Sequence, residues 1–154
     1  MILATERSVE QFAEFFSGNE PRLRHALVAN YGPEVGREAA ADSLEYAWTH
    51  WNRVGSMEFP VAYLYRVGQS SAKKYRRGET IADPPTEYSQ PWFEPGLEPA
   101  LSRLSDRQRT AVVLRHGFGH TFAEIAEVMG VSIPTVQKHI DRALSKLRRS
   151  LEVG

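Results

Sequence analysis

Thr121 and Glu124 stand three residues apart, just ahead of Ile125, Ala126, Val128 and Met129. A threonine hydroxyl at a helix N-cap accepts from the amide three residues on. A glutamate at that third position bonds back to the cap amide, so the pair predicts a helix start. Gly130 predicts the end of that helix, because the residue after a helix C-terminus commonly takes the left-handed conformation. Val131 is expected as the buried turn residue and Ser132 as the cap of a second helix. Pro134 fits the first turn, where a missing N–H has no helical partner. The second helix carries Thr135, Gln137, Lys138, His139 and Arg142, then Lys146, Arg148 and Arg149. Polar side chains near a helix start suit base edges in the major groove, and cations beyond them suit phosphates. The chemistry implied is DNA reading by a helix-turn-helix.

Net charge is zero, but its distribution favours an anionic partner. Residues 81–100 carry four acids and no cation, whereas residues 101–154 carry nine cations against five acids. Between Arg66 and Arg77 lie Arg66, Lys73, Lys74, Arg76 and Arg77, with no acid among them. Local basic patches, rather than the sum, are what a phosphate backbone responds to.

Other chemistries find little support. The absence of cysteine rules out a disulfide framework and any thiolate metal site. His116, His120 and Glu124 have the residue types of a metal site, but Gly117 and Gly119 interrupt any helix that would align the imidazoles. His120 is expected instead beside the helix cap, near a phosphate. No nucleophile–base pair or phosphate loop stands out. The expectation is therefore a non-enzyme with no metal and no cofactor. MILATERSVE lacks the cationic start and apolar core of a signal peptide, and no run is long enough to cross a membrane, so a cytoplasmic location is expected.

The elements that must position these residues read as helices throughout, because no segment alternates with period two. Ser8 and Gln11 predict a first helix with Phe12, Phe15 and Phe16 on its apolar face. Pro21 predicts the opening of a second, and Gly32-Pro33 its break. A third helix is expected from Val35 to Arg53, with Ala40, Leu44, Ala47, Trp48 and Trp51 along a buried stripe. VGSMEF reads as a loop. A fourth helix runs from Pro60 to Arg77, with Leu64, Val67, Ser71 and Tyr75 inward and Tyr63, Arg66, Ser70, Lys74 and Arg77 outward. Tyr63 and Tyr65 point in different directions, so at most one is expected to face DNA. Five prolines in residues 78–99 predict a linker, since repeated proline blocks helix and central strand alike. Helices are expected at about residues 98–103, 106–116, 122–129 and 133–151. The fold class is all-α: two small helical domains, 1–77 and 100–154, joined by a proline-rich acidic linker at 78–99.

The segment LSDRQRTAVVLRHGFGHTFAEIAEVMGVSIPTVQKHIDRALSKLRR resembles region 4 of bacterial extracytoplasmic-function sigma factors. Upstream, FAEFF, ADSLEYAWTHW and FPVAYLYRVGQSSAKKYRR are similar to region 2 of the same family, in the family's order. The resemblance implies a dissociable subunit of core RNA polymerase that directs it to promoter DNA, and an anti-sigma protein that holds it away from polymerase. It places Glu38 and Asp42 on the polymerase-binding surface. Residues from Trp51 to Phe59 fall in the loop that receives a flipped −10 base. Tyr63, Arg66, Ser70, Lys73, Lys74 and Arg77 of the fourth helix adjoin it. Thr135, Gln137, Lys138, His139, Arg142 and Lys146 would read the −35 element.

Physical chemistry agrees with that division. Aromatic side chains hold unstacked bases while cations follow the backbone. Each stacked base is worth about 1–3 kcal/mol, comparable to the cost of unstacking a step. Roughly 20 extended residues reach about 65 Å. Promoter elements roughly 17 base pairs apart lie about 58 Å apart. The resemblance also implies that this segment threads a polymerase channel, where the acids Asp83, Glu87, Glu94 and Glu98 would occupy a path otherwise used by RNA. The chain departs from the family's usual pattern at Ala41, Ser70 and Lys74, where glutamine, asparagine and aspartate are common. Two other readings stand beside this one: a helix-turn-helix regulator that binds its operator alone, and a degenerate sigma-like protein that acts by binding other proteins.

Overall fold

The computed structural model describes residues 2–76, 100–101 and 103–153, with side chains described from residue 6 to 75 and through residue 150 in the second half. Among the described residues every regular element is helical. The linker expected at 78–99, with its acids, lies outside the described residues, as does Arg77.

Helix α1, Ile2–Tyr31, is one continuous 30-residue helix with Pro21 inside it. The expected pair of helices divided at Pro21 is therefore corrected. Proline removes one intrahelical bond, to the Ser17 carbonyl, and crowds that turn. Packing on both sides compensates: Phe12 and Phe15 before it, and buried Leu23 and Leu27 after it, meet the same core. Gly32 (φ 87°) then turns the chain, and Pro33 opens α2, Pro33–Thr49. The two helices cross almost in backbone contact, since a Cβ on Gly36 would sit 2.4 Å from Val28 Cα.

Helix α2 stops short of the expected Arg53. His50 leaves helical geometry (φ −114°, ψ 31°), and a single turn, α3, Trp51–Val54, follows. His50 Nδ1 lies 3.1 Å from the Tyr46 carbonyl, near the end of α2. The break separates Trp51 from the rest of the expected buried stripe. Ala40, Leu44 and Ala47 are buried as expected, but Trp48 is 46% exposed and Trp51 is half-buried. Trp48 is thus a surface side chain, lying against the Phe12 ring at 5.2 Å.

Helix α4, Pro60–Arg76, begins at the predicted proline. It buries Ala62, Leu64, Tyr65, Gly68, Gln69 and Ala72. Of the inward set expected from spacing, Leu64 is fully buried, whereas Val67, Ser71 and Tyr75 are half-buried beside α2. Tyr65 is wholly enclosed and its hydroxyl accepts from Asn30 Nδ2 at 2.5 Å.

The second half opens with Ser105 and Gln108, which form a reciprocal capping box on α5, Asp106–Val112. A π turn, Val113–Gly117, follows, and Gly119 (φ 72°) redirects the chain. Helices α6, Phe122–Met129, and α7, Ile133–Val153, complete the helix-turn-helix. Its core is continuous with that of the first half: Leu101, Leu104, Leu114 and Phe118 share a cluster with Leu23, Leu27, Tyr31 and Tyr65. Arg109, only 6% exposed, donates to the carbonyls of Leu101 (3.1 Å) and Leu104 (3.3 Å) and lies over the Tyr31 ring.

Candidate nucleic-acid interface

The turn of the helix-turn-helix forms through local hydrogen bonds. Thr121 Oγ1 accepts from the Glu124 amide at 3.1 Å, and Glu124 Oε1 accepts from the Thr121 amide at 2.8 Å. Those bonds hold the Glu124 carboxyl below its ordinary range, the backbone bond to Thr121 contributing most. Gly130 takes the left-handed conformation (φ 69°), and Ser132 Oγ accepts from the Thr135 amide. Val131 packs half-buried against the core rather than fully inside it.

Helix α7 buries Val136, Ile140 and Ala143 and turns Gln137, Lys138 and Arg142 to solvent. Thr135 is half-buried, its hydroxyl 2.8 Å from that of Ser132. Two of the expected DNA contacts are placed differently. Both ring nitrogens of His139 are enclosed with no hydrogen-bond partner, and burial lowers its pKa, with Arg107, Arg142 and Lys138 adding to the effect. His139 lies at the margin of the buried stripe, between Val136 and Ile140, and does not offer a ring nitrogen to a base. Lys146 donates to Gln108 Oε1 at 3.0 Å, so its ammonium is held back on α5.

His120 is likewise turned away from solvent. Its ring stands 5.9 Å from that of Phe59 and 6.4 Å from that of Phe118, Nε2 is enclosed, and burial lowers its pKa. The expected phosphate-side position is replaced by one between the two halves. Among the described residues no group of three or more His, Asp or Glu side chains is arranged to hold a metal ion.

In the first half, a cleft of 610 Å³ opens between α2 and α4, with Asp42, Tyr46, Tyr63, Arg66, Ser70 and Lys74 on its walls. Tyr46 and Tyr63 share a hydroxyl–hydroxyl contact of 3.1 Å. Arg53 donates to both hydroxyls and lies 5.8 Å from each ring centre. Burial and, foremost, the bond to Tyr46 raise the Tyr63 pKa. His50 stacks on Tyr46 at 4.2 Å. The spacing of Tyr46, His50 and Arg53, at i, i+4 and i+7, could have signalled this cluster; sequence reasoning singled out neither Tyr46 nor His50, and included Arg53 only within the span from Trp51 to Phe59.

The remaining predicted residues divide between that cleft and the packing around it. Lys74 and Ser70 are exposed on the cleft. Trp51 packs edge-on to Phe12 and beside Phe15, each at 5.4 Å, as part of the α1 contact. Phe59 faces His120. Arg66 and Lys73 are both engaged by the second half: Arg66 Nη1 donates to the Val128 carbonyl at 2.9 Å, and Lys73 Nζ meets Asp106 Oδ2 at 2.5 Å. On α2, Asp42 accepts from Ser71 at 2.5 Å and Glu38 from Tyr75 at 3.4 Å. Burial, with Asp42 and Glu38 alongside, pushes the Tyr75 phenol up to about 12. Ala41, Glu45 and Trp48 lie exposed along the same helix.

Residues 97–147 match the family Sigma-70, region 4. The RNA polymerase sigma-E factor of Streptomyces avermitilis is 28% identical over 94% of this chain and 87% of its own length. The sigma-E factor of Streptomyces coelicolor is 27% identical over 93% of this chain and 87% of its own. In fold, the chain is similar to the sigma factor RpoE of Bartonella quintana, solved in complex with the anti-sigma factor NepR. The TM-score is 0.70 at 22% identity, over 92% of this chain and 97% of the other. The class of fold is a helix-turn-helix packed on a four-helix unit. Residues 97–147 carry the Sigma-70 region 4 family's pattern, and the chain as a whole is similar to sigma-E factors of RNA polymerase.

Proposed function

We propose that this protein binds core RNA polymerase and directs it to promoters, with α7 reading the −35 element and α4 with its cleft holding the opened −10 strand. The observation that carries the reading is the capped helix-turn-helix whose second helix turns Gln137, Lys138 and Arg142 outward together. A bidentate glutamine suits adenine, and the two cations suit guanine or phosphate. On the first half, the Tyr46–Tyr63–Arg53 cluster joins aromatic faces to a cation beside Ser70 and Lys74. Such a surface holds unstacked bases without nucleotide hydrolysis. Glu38 and Asp42 sit on one side of α2 as the acids expected to meet the polymerase clamp. An anti-sigma protein is a further expected partner, as in the Bartonella quintana complex.

Run-off transcription with purified core polymerase on pooled promoter fragments tests this. Transcripts that need both proteins, from fragments sharing paired upstream motifs, are the expected result. Tight fragment binding by the chain alone, without initiation, would replace this reading with that of an independent regulator. Silence in both assays would favour a sigma-like protein that works through protein contacts.

A further inference from the structure

Arg53 stands between two cavities. On one side it donates through Nη2 to the hydroxyls of Tyr46 and Tyr63, on the wall of the cleft between α2 and α4. On the other it lines an open notch of 410 Å³ together with Ser8 of α1, Trp48 of α2, and His50, Trp51 and Asn52. The notch exists because His50 leaves helical geometry between α2 and α3. Trp51 then turns toward Phe12 and Phe15, while Trp48 stays nearly half exposed. His50 joins the two cavities: it lines the notch and lays its ring on that of Tyr46 at 4.2 Å, 26° from parallel. Tyr46 stands 6.1 Å from Tyr63, so the aromatic wall runs on from the notch into the cleft.

We propose that this notch is a second base-holding site, which takes a nucleotide of the same single DNA strand whose neighbouring base lies in the cleft. The inference rests on the sigma-factor reading above and extends it from one unstacked base to two, with Arg53 between them. Indole and imidazole faces accept a base by stacking, and a guanidinium beside them follows the backbone. Both bonds of Arg53 use Nη2, so among the described residues Nε and Nη1 are left for the phosphate that joins the two nucleotides. Asn52, exposed on the same wall, offers an amide to a base edge. Charge favours a strand over an apolar protein segment. No acidic side chain lines the notch, whereas the neighbouring groove between α1 and α2, which Trp48 also borders, is edged by Glu20 and Glu45 as well as Arg24 and Arg37. Because stacking dominates, the notch adds affinity and prefers the larger rings of purines, while hydrogen-bonded sequence readout stays in the cleft.

The test uses holoenzyme assembled from the full chain and core polymerase, bound to a pre-melted promoter. Single nucleotides of its −10 strand are made abasic one at a time. Two sensitive positions are expected with the parent chain, one for each site. Trp48→Ala with His50→Ala, both at exposed side chains, is expected to weaken binding of the intact strand about tenfold and to abolish the abasic penalty at one position only. Trp48→Phe with His50 kept should recover most of the binding, because a ring remains. Arg53→Gln should lower the slope of log affinity against log salt by about 0.7, the value for one phosphate on a single strand. An unchanged abasic profile in the double variant would overturn the second site. So would a loss spread evenly over all positions, which marks a backbone contact. Weaker holoenzyme assembly with the profile intact would assign the notch to polymerase and equally overturn it. In each of these cases a holoenzyme that still initiates leaves the functional reading standing; a chain that never supports initiation rejects that reading and this inference together.

Discussion

The Arg22 guanidinium donates to the Phe118 carbonyl at 2.9 Å and lies 5.5 Å from the centre of the same residue's ring. One side chain of α1 thereby fixes both the backbone and the ring of the residue that follows the π turn. Phe118 in turn stands against Tyr65, wholly enclosed in the core of the first half. Arg22→Ala is expected to lower stability by about 1–3 kcal/mol, since a charge-assisted bond and a cation–π contact are lost together. Urea unfolding checks this. Arg22→Lys should recover only part of the loss, because an ammonium lacks the guanidinium's flat fork. An unchanged midpoint in the alanine variant would remove this contact from the account of how the halves meet.

Gly36 makes a sharper prediction. A methyl group there would stand 2.4 Å from Val28 Cα and 2.7 Å from the Leu27 carbonyl carbon, both backbone atoms that cannot swing aside. Gly36→Ala must push α1 and α2 apart, and overpacking of this kind costs about 1–3 kcal/mol or more. The intrinsic helix preference for alanine over glycine, about 1 kcal/mol, acts in the opposite direction and is smaller. A variant as stable as the parent would mean that the helix crossing is looser than these distances.

What the amino-acid sequence discloses here is mostly local. The Thr121–Glu124 box, Gly130 and Ser132 act within a few residues, so residue type and spacing identify them before any fold is known. Pro21 misleads for the same reason: its local penalty is real, but the apolar contacts of Leu23 and Leu27 with residues far along the chain override it. Trp48 misleads because it stands at the edge of the stripe containing Ala40, Leu44 and Ala47 and falls on the exposed line of Ala41 and Glu45, at i, i+4 and i+7. The covering of α4 was not legible at all. Arg66 and Val128 are 62 positions apart, and Arg22 and Phe118 are 96 apart. His139 shows the limit within a single helix, since it stands between exposed Lys138 and buried Ile140 and its ring nitrogens are enclosed.

The histidines give the chain an acid-sensitive stability. Burial lowers the pKa of His25, His120 and His139 from the ordinary 6.5, so the folded state favours their neutral forms. Above 6.5 both folded and unfolded chains hold these rings neutral, and the full stability is present. As pH falls below 6.5 the unfolded chain takes up protons first, and stability drops until the folded-state values are passed. Unfolding measured between pH 7.5 and 5 should show this decline, and His120→Gln with His139→Gln should flatten it. A decline of the same size in the double variant would assign it to other groups.

The last prediction concerns the outer face of α7. Lys138 and Arg142 are both exposed, on a helix whose buried side is Val136, Ile140 and Ala143, so truncating either removes charge without opening the core. Lys138→Ala and Arg142→Ala should each weaken binding to a −35 duplex while leaving the unfolding midpoint in place. A phosphate contact and a base contact then part company in salt. Loss of a phosphate contact reduces the slope of log affinity against log salt by about one and affects all sequences alike. Loss of a base contact costs about 1–3 kcal/mol on the preferred sequence and little on others. Gln137→Ala should follow the second pattern, because a neutral amide releases no counterion. His139→Leu should follow neither, since both its nitrogens are already enclosed. Duplex binding lost in His139→Leu but kept in Gln137→Ala would mean that α7 meets DNA on a face rotated from the one exposed here.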